Sequence, residues 1–369
     1  MIKLKKSRLI LCVLFFIIQI NIPIQIPDSS KGESAIDVSL FSNKYVHTQK
    51  SVCGGISGGA YKEFLNMSSR GFVIPGLSEN FVPQGLAFCE YLDSFMISGY
   101  SDIGGAAYII TVSAKSGRIN GEYKILSPDG IEFTGHSGGI AAYGRYVYIT
   151  DGYVLCYVSM FDFDGASSEV KISGRVNLPA SSSFVSVYDG YLWAGNFYHR
   201  TPVSRSDISA SDSYGDVYRT AIFGYRLDWL HSGGIRQSEG KIDNTAKPFA
   251  VIFAPDEVQG TAFTADGRIY LSCSYGRRNM SVLSIYKYPL AYNANKYVNI
   301  DGRTIPAWFL NNDYLIKTVS APPMSEGAVF RDGKVYVIFE SAASKYRDTA
   351  LDPTDCVWAI TNCSSVSRR

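Results

Sequence analysis

One pattern recurs along this chain. A polar residue and often a glycine are followed by a short run of small and apolar residues, a tight turn, and a longer aromatic or β-branched run. It appears as PQGLAFCEYLDSFMISGYSD from Pro83, GHSGGIAAYGRYVYITDGY from Gly135 and SSSFVSVYDGYLWAGNFY from Ser181. It returns as VQGTAFTADGRIYLSCSYGRR from Val258 and MSEGAVFRDGKVYVIFESA from Met324. Asp189-Gly190, Asp266-Gly267 and Asp332-Gly333 mark three of the turns, and Asp-Gly between strand-like runs is a strong hairpin signal. A third strand-like run follows each hairpin, at 106–112, 154–162, 218–227, 281–288 and 356–361. Fourth strands follow as GEYKIL, VKISGRVNL, KPFAVIF and NDYLIKTV. The last unit runs out of chain, and RGFVIPG at 70–76 is the segment expected to complete it.

Four antiparallel strands repeated radially predict an all-β fold, a five-bladed β-propeller with four-stranded blades around a central channel. Six blades is the nearest variant, if an insertion hides a degenerate unit, and a large β-sandwich is the competing architecture. Insertions at about 199–217 and 289–312 make the repeat uneven. With 369 residues, 46% hydrophobic and 18% charged, the chain has ample material for a large core. Its formal net charge of +2 supplies no concentrated basic face, so a nucleic-acid partner is not expected.

Lys3, Lys5, Lys6 and Arg8 precede the apolar run Leu9 to Ile20, the pattern of an export signal. The expected organisation is a signal peptide or N-terminal anchor at 1–35, an extension at 36–69, the propeller at 70–363 and a tail at 364–369. That places the protein outside the cell, secreted or on the surface, touching a membrane only if the N-terminal segment stays uncleaved, and otherwise monomeric. Beyond the signal stand Cys53, Cys89, Cys156, Cys273, Cys356 and Cys363. Cys89, Cys156 and Cys273 lie in apolar strand-like runs and read as buried free thiols. Cys53, Cys356 and Cys363 sit near the chain ends, where one disulfide is open to them.

In a propeller blade, the start of the inner strand and the end of the second emerge on the same face, near the axis. Gln84, His136, Gln259 and Glu326 take the entry positions, with only Ser181–Ser183 in the third unit. Tyr100, Asp102, Asp151, Asn196, Tyr275, Arg277 and Glu340 take the exits, and Lys345 and Tyr346 follow. Convergent polar groups in a concave site are the signature of a ligand pocket. The expected ligand-binding residues are therefore Gln84, Tyr100, Asp151, Asn196, Gln259, Tyr275, Arg277, Lys345 and Tyr346.

For catalysis, the candidates are His136, Glu326 and Glu340. Two carboxylates suit glycoside cleavage; His136 as a base, with Arg277 or Lys345 on developing negative charge, suits a lyase or an ester or phosphoester hydrolase. Two neighbouring carboxylates need either cations or a retained proton, and Arg277 or Lys345 is expected within salt-bridge reach of Glu326 or Glu340. The aromatic rim (Phe197, Tyr198, Tyr275) suits a glycan or small-molecule partner without chemistry, whereas Tyr191 and Trp193 read as packing between blades. No cofactor is expected; the alternative is calcium in the channel, on oxygens of Glu326, Gln84 and Gln259. A surface scaffold without a ligand is the remaining reading.

The stretches VPQGLAF, HSGGIAAYGRYVYI, VQGTAFTADGRIYLSCSYGRR and PPMSEGAVFRDGKVYVIFESAASKYR resemble a group of secreted bacterial propeller proteins, mostly of unknown function, over about 82–361. That resemblance implies a propeller and export. More distantly, the polar entry ring looks like the NHL and gluconolactonase propellers. Their metal set of Glu, Asn and Asp would fall here on Glu326, Asn196 and Asp151.

Overall fold

The computed structural model describes residues 47–56, 58–200, 208–237 and 244–361. The proposed signal, its cleavage region and Cys363 lie outside them. The architecture is all-β, and successive sets of antiparallel strands can be followed along the described residues. The first is Phe81–Cys89, Ser94–Ser101, Ala107–Ser113 and Ile119–Leu126. In the second, Ile140–Tyr143 pairs with the long run Tyr146–Ser159, which pairs with Glu169–Ser182. Tyr146–Ser159 is itself a hairpin: Met160 N–H donates to Arg145 O at 2.7 Å, and Gly152 has φ 60° at the reversal. The third set is Phe184–Tyr188, Tyr191–Gly195, Thr220–Arg226 and Pro248–Ala254; the fourth is Val258–Thr264, Arg268–Cys273, Ser281–Lys287 and Leu315–Ala321.

The fifth set comprises Ser325–Arg331, Lys334–Phe339, Cys356–Thr361 and the N-terminal strand Ser68–Val73. Ser68 faces Ile360, Arg70 faces Trp358 and Val73 faces Cys356. The segment expected to complete the last unit does so, beginning at Ser68 rather than Arg70. Without it, Cys356–Thr361 would present an unpaired edge. The first strands of these sets touch in cyclic order: Phe81–Cys89 on Ile140–Tyr143, then Phe184–Tyr188, Val258–Thr264, Ser325–Arg331 and back to Phe81–Cys89. Sheets arranged radially about a closed ring of inner strands make a β-propeller.

Side-chain alternation explains why the inner strands read as nearly continuous apolar runs, whereas outer strands such as Glu169–Ser182 alternate exposed and buried residues. Successive residues point to opposite faces of a sheet, and here both faces are buried against a neighbour. Leu86 packs with Ile97, Ile338 and Val357, whereas Ala87 packs with Ile140, Val147 and Val158 on the other side. Leu192 and Trp193 divide likewise between the second and fourth sets. A sandwich, with one wet face per sheet, would have required polar residues at half of these positions. Cys89, Cys156 and Cys273 are buried in these layers as free thiols, and Cys53 and Cys356 are also unpaired.

The insertions decorate the edges. The hairpin Lys296–Ile300 and Arg303–Phe309 adds to the outside of the third set, with Arg303–Phe309 parallel to Pro248–Ala254. Ala210–Ser211 and Val217–Tyr218 form a small separate hairpin. The outer strands of the first two sets also join, Lys124 facing Glu169 and Leu126 facing Lys171.

A buried carboxylate fastens the closing strand. Asp355 Oδ2 accepts from Ser51 Oγ at 2.6 Å, Val52 N at 2.9 Å and Cys53 N at 3.2 Å, while Oδ1 accepts from Arg70 Nη2 at 2.9 Å. These donors hold its pKa below the ordinary value despite the opposing cost of desolvation. Asp355→Ala leaves several donors unpaired and is expected to cost about 3 kcal/mol. Urea unfolding and faster hydrogen exchange at residues 51–53 and 68–73 check this; unchanged exchange there would reject the role.

Candidate functional site at the channel mouth

The site is built by three β-bulges. The ladder slips between Pro83 and Gly85, between Val258 and Gly260, and between Ser325 and Ala328. The residues left in the slips are Gln84, Gln259 and the pair Glu326-Gly327. A bulge frees a residue from strict alternation and re-aims its side chain. Backbone at positive φ sets up two of them, Glu257 at 67° and Met324 at 63°, each two residues before its ring residue.

Gly85, Gly139, Gly260 and Gly327 then bring the inner strands into backbone contact. An added Cβ would lie 2.8 Å from Ile140 N at Gly85, 2.6 Å from Phe184 Cα at Gly139 and 2.8 Å from Gly327 Cα at Gly260. At Gly327 it would overlap Leu86 N.

The ring encloses a cavity of about 260 Å³ lined by Gln84, Tyr100, His136, Gly138, Ser183, Phe197, Gln259, Glu326, Glu340 and Tyr346. Every inner strand, or the turn leading into it, contributes. Larger cavities exist: about 410 Å³ beside His47 and Ile103, and about 510 Å³ between Arg200 and Asp313. Neither is lined by a buried carboxylate facing the axis. On the opposite mouth, about 390 Å³ is walled by Ala87, Ala141, Thr261 and Ala328 and collared by Phe88, Tyr143, Tyr188, Phe263 and Phe330.

Glu326 is 4% exposed and Glu340 partly exposed. The two carboxyls are close enough to shift one another's titration. Gln84 Nε2 donates to Glu340 Oε2 at 2.8 Å and to Pro83 O at 3.0 Å. Burial raises the Glu326 pKa well above the ordinary range, and the Glu340 charge raises it further. Burial also lifts Glu340, to about 7, against the opposing pull of the Gln84 hydrogen bond and of Lys345. A proton retained by the pair relieves the repulsion.

The expected ion pair is not formed. Lys345 Nζ donates to Tyr100 Oη at 3.1 Å and lies 5.1 Å from the centroids of both Tyr100 and Tyr346. The Arg277 guanidinium lies 4.8 Å over the Tyr346 ring and donates to Thr349 Oγ1 at 3.2 Å. Tyr346 draws both cations to the rim, where they act on Glu340 only at a distance. His136 packs at 4.8 Å against Tyr100. His136 is exposed at the mouth; desolvation by the neighbouring protein and then Lys345 lower its pKa, with Asp151 opposing. The imidazole is therefore neutral at pH 7.

Other expected residues fall elsewhere. His136 lines the cavity, but the entry position of its unit belongs to Gly138. Asp151 influences His136 by charge without lining the cavity. Asn196 ties two strands together, its Oδ1 accepting from Ala221 N at 2.7 Å and its Nδ2 donating to Arg219 O at 3.0 Å. Tyr275 is 41% exposed and stacks on His199 at 3.4 Å, outside the cavity. Among the described residues no group of three or more His, Cys, Asp or Glu is arranged to hold a metal ion. With both ends of Asn196 spent on backbone, the Glu326, Asn196 and Asp151 set does not fit a shared metal. Ser183, offered at the third unit's entry but left out of the expected ligand set, lines the cavity, and Gly138 was missed; aligning the units on the glycine after Gln84 and Glu326 would have found it.

No protein-family model matches the sequence, and neither does any curated protein. Solved structures do resemble it. A PQQ-bound aldose sugar dehydrogenase from Streptomyces coelicolor matches at TM-score 0.43 and 12% identity, over 78% of this chain and 96% of that one. A glutaminyl cyclase from Myxococcus xanthus matches at 0.40 and 10%, over 74% and 91%. A gluconolactonase from Xanthomonas campestris matches at 0.38 and 11%, over 81% and 92%. The distant similarity to gluconolactonase-like propellers is thus present. At such scores and identities the likenesses carry no argument about chemistry.

Proposed function

We propose that this chain is an exported five-bladed β-propeller that binds a small polar or carbohydrate-like ligand at the channel mouth. Five blades, rather than six, fits the placement of the 296–309 hairpin on an outer edge. Export rests on the basic and apolar N-terminal sequence. The observation that carries ligand binding is the lining of the 260 Å³ cavity. Carboxyl, carboxamide, imidazole and aromatic groups from all the inner-strand units converge there, and Gln259 has no side-chain hydrogen bond to any described residue. Its volume is below the roughly 300 Å³ at which most small-molecule pockets begin, which suits a single ring.

A second reading, hydrolysis or elimination, is favoured by the shared proton of Glu326 and Glu340 beside a neutral His136. Such a trio holds an acid and a base at one pH.

Thermal shift against a glycan and metabolite panel tests binding, because a ligand at 100 times its Kd stabilises by about 2.7 kcal/mol. Phe197→Ala is expected to weaken binding about tenfold or more. If the site is catalytic, His136→Ala and Glu326→Gln abolish turnover and leave Tm within a few degrees of wild type. Absence of any shift across the panel would overturn the binding reading.

A further inference from the structure

The floor of the cavity carries carboxyls and the rim cations, and among the described residues the floor has no ion-pair partner. Glu326 is almost wholly buried, and among the described residues neither it nor Glu340 forms an ion pair. A buried carboxylate is stable only when paired or protonated. A shared proton satisfies one of the two carboxyls and leaves the other an acceptor facing the cavity. The nearby cations are committed elsewhere: Lys345 to Tyr100 and Arg277 to Thr349, both solvent-exposed and screened by water.

The Lys345 ammonium also shows what the rim accepts. It sits equidistant, at 5.1 Å, from the Tyr100 and Tyr346 ring centroids, within cation–π range. Both rings line the cavity. An ammonium entering from the mouth would pass Lys345 and Arg277, held on the Tyr100 and Tyr346 rings, and reach the carboxyl pair beneath them. Gln259 and Ser183, on other inner-strand units, remain for hydroxyl groups.

We infer that the cavity selects a single-ring polyol carrying one protonated primary amine, an amino-sugar-class ligand, with its ammonium on Glu326 and Glu340. This rests on the proposed binding of a small polar ligand and adds the charge that the ligand must carry. The ammonium supplies the missing counter-charge, and the ring hydroxyls meet the carboxamides.

The test is calorimetric titration of the full-length chain with D-glucosamine, D-glucose and N-acetyl-D-glucosamine, at a pH where the free amine is protonated. Wild type is expected to bind glucosamine at least about tenfold more tightly than either neutral sugar. Glu340→Gln and Glu326→Gln are expected to bring that ratio to about 1. Equal binding of the three sugars by wild type overturns the amine selectivity alone and leaves the ligand-binding reading standing. A preference that survives in both variants overturns the assignment of the ammonium to the carboxyl pair. No binding of any of the three overturns the inference, and silence across the wider panel overturns the binding reading with it. The wild-type comparison decides even if a variant fails to fold.

Discussion

Gly327→Ala is expected to destabilise the protein by about 3 kcal/mol, at the upper end for overpacking by one methyl group. The added Cβ overlaps Leu86 N and lies 2.9 Å from Gly85 Cα, and both are backbone atoms of the next inner strand. A side chain in the way can rotate, whereas a strand in a closed ring moves only if its neighbours move too. Gly333→Ala is the control. Gly333 has φ 74° with open space around it, so the cost there is only that of a left-handed conformation, about 1 kcal/mol. Urea unfolding of the two variants and wild type measures the difference. A Gly327→Ala protein as stable as Gly333→Ala would mean that the inner strands do not close against one another as described.

The carboxyl pair makes stability depend on pH in a direction opposite to that of most acidic residues. The folded pKa of Glu340 is raised from 4.5 to about 7, and that of Glu326 is raised well above its ordinary value. Between those values the folded state holds protons that the unfolded chain has released, so stability falls as pH rises. The contribution is fully present below about pH 4.5 and is lost as pH climbs through about 7. The loss is on the order of a few kcal/mol.

His136 acts in the other sense. Its lowered folded pKa makes it a source of stability that is gained as pH rises toward 6.5. Asp355, with its lowered pKa, loses its contribution only as pH falls below the carboxylate range. The clean measurement is therefore the difference between wild type and Glu340→Gln. The variant should gain on wild type steadily from pH 5 to pH 8, read as the shift in urea midpoint. Parallel pH profiles for the two proteins would remove the pair from its buried, proton-sharing state.

Much of the fold was legible because strand periodicity and turn chemistry are local. Asp189-Gly190 and Asp332-Gly333 both adopt positive φ throughout, as their hairpins require; at Asp266-Gly267 only the glycine does. The absence of polar alternation in the inner strands, as in Leu86-Ala87 and Leu192-Trp193, follows from sheets buried there on both faces. The pairing of the 68–73 strand with 356–361 could be anticipated because a ring of sheets leaves one strand missing and one segment spare. The cavity was legible in part: Gln84, Tyr100, His136, Gln259, Glu326, Glu340 and Tyr346 all line it.

What sequence alone determined was which residues stand where strands meet loops, since that depends on hydrophobic period and turn position. What only the tertiary structure decided was how each side chain spends its hydrogen bonds and charge. Asn196 stands at a strand exit like Tyr100, yet its amide is consumed by Arg219 and Ala221 backbone. Lys345 and Arg277 have the charge to neutralise Glu340, yet Tyr346 lies in the path and its ring and neighbouring hydroxyls hold them. Coulomb attraction depends on distance and on the water between charges, and neither is written in the order of residues along the chain. Burial therefore raises the pKa of both carboxyls, and the surrounding packing leaves them no nearer cation to offset it.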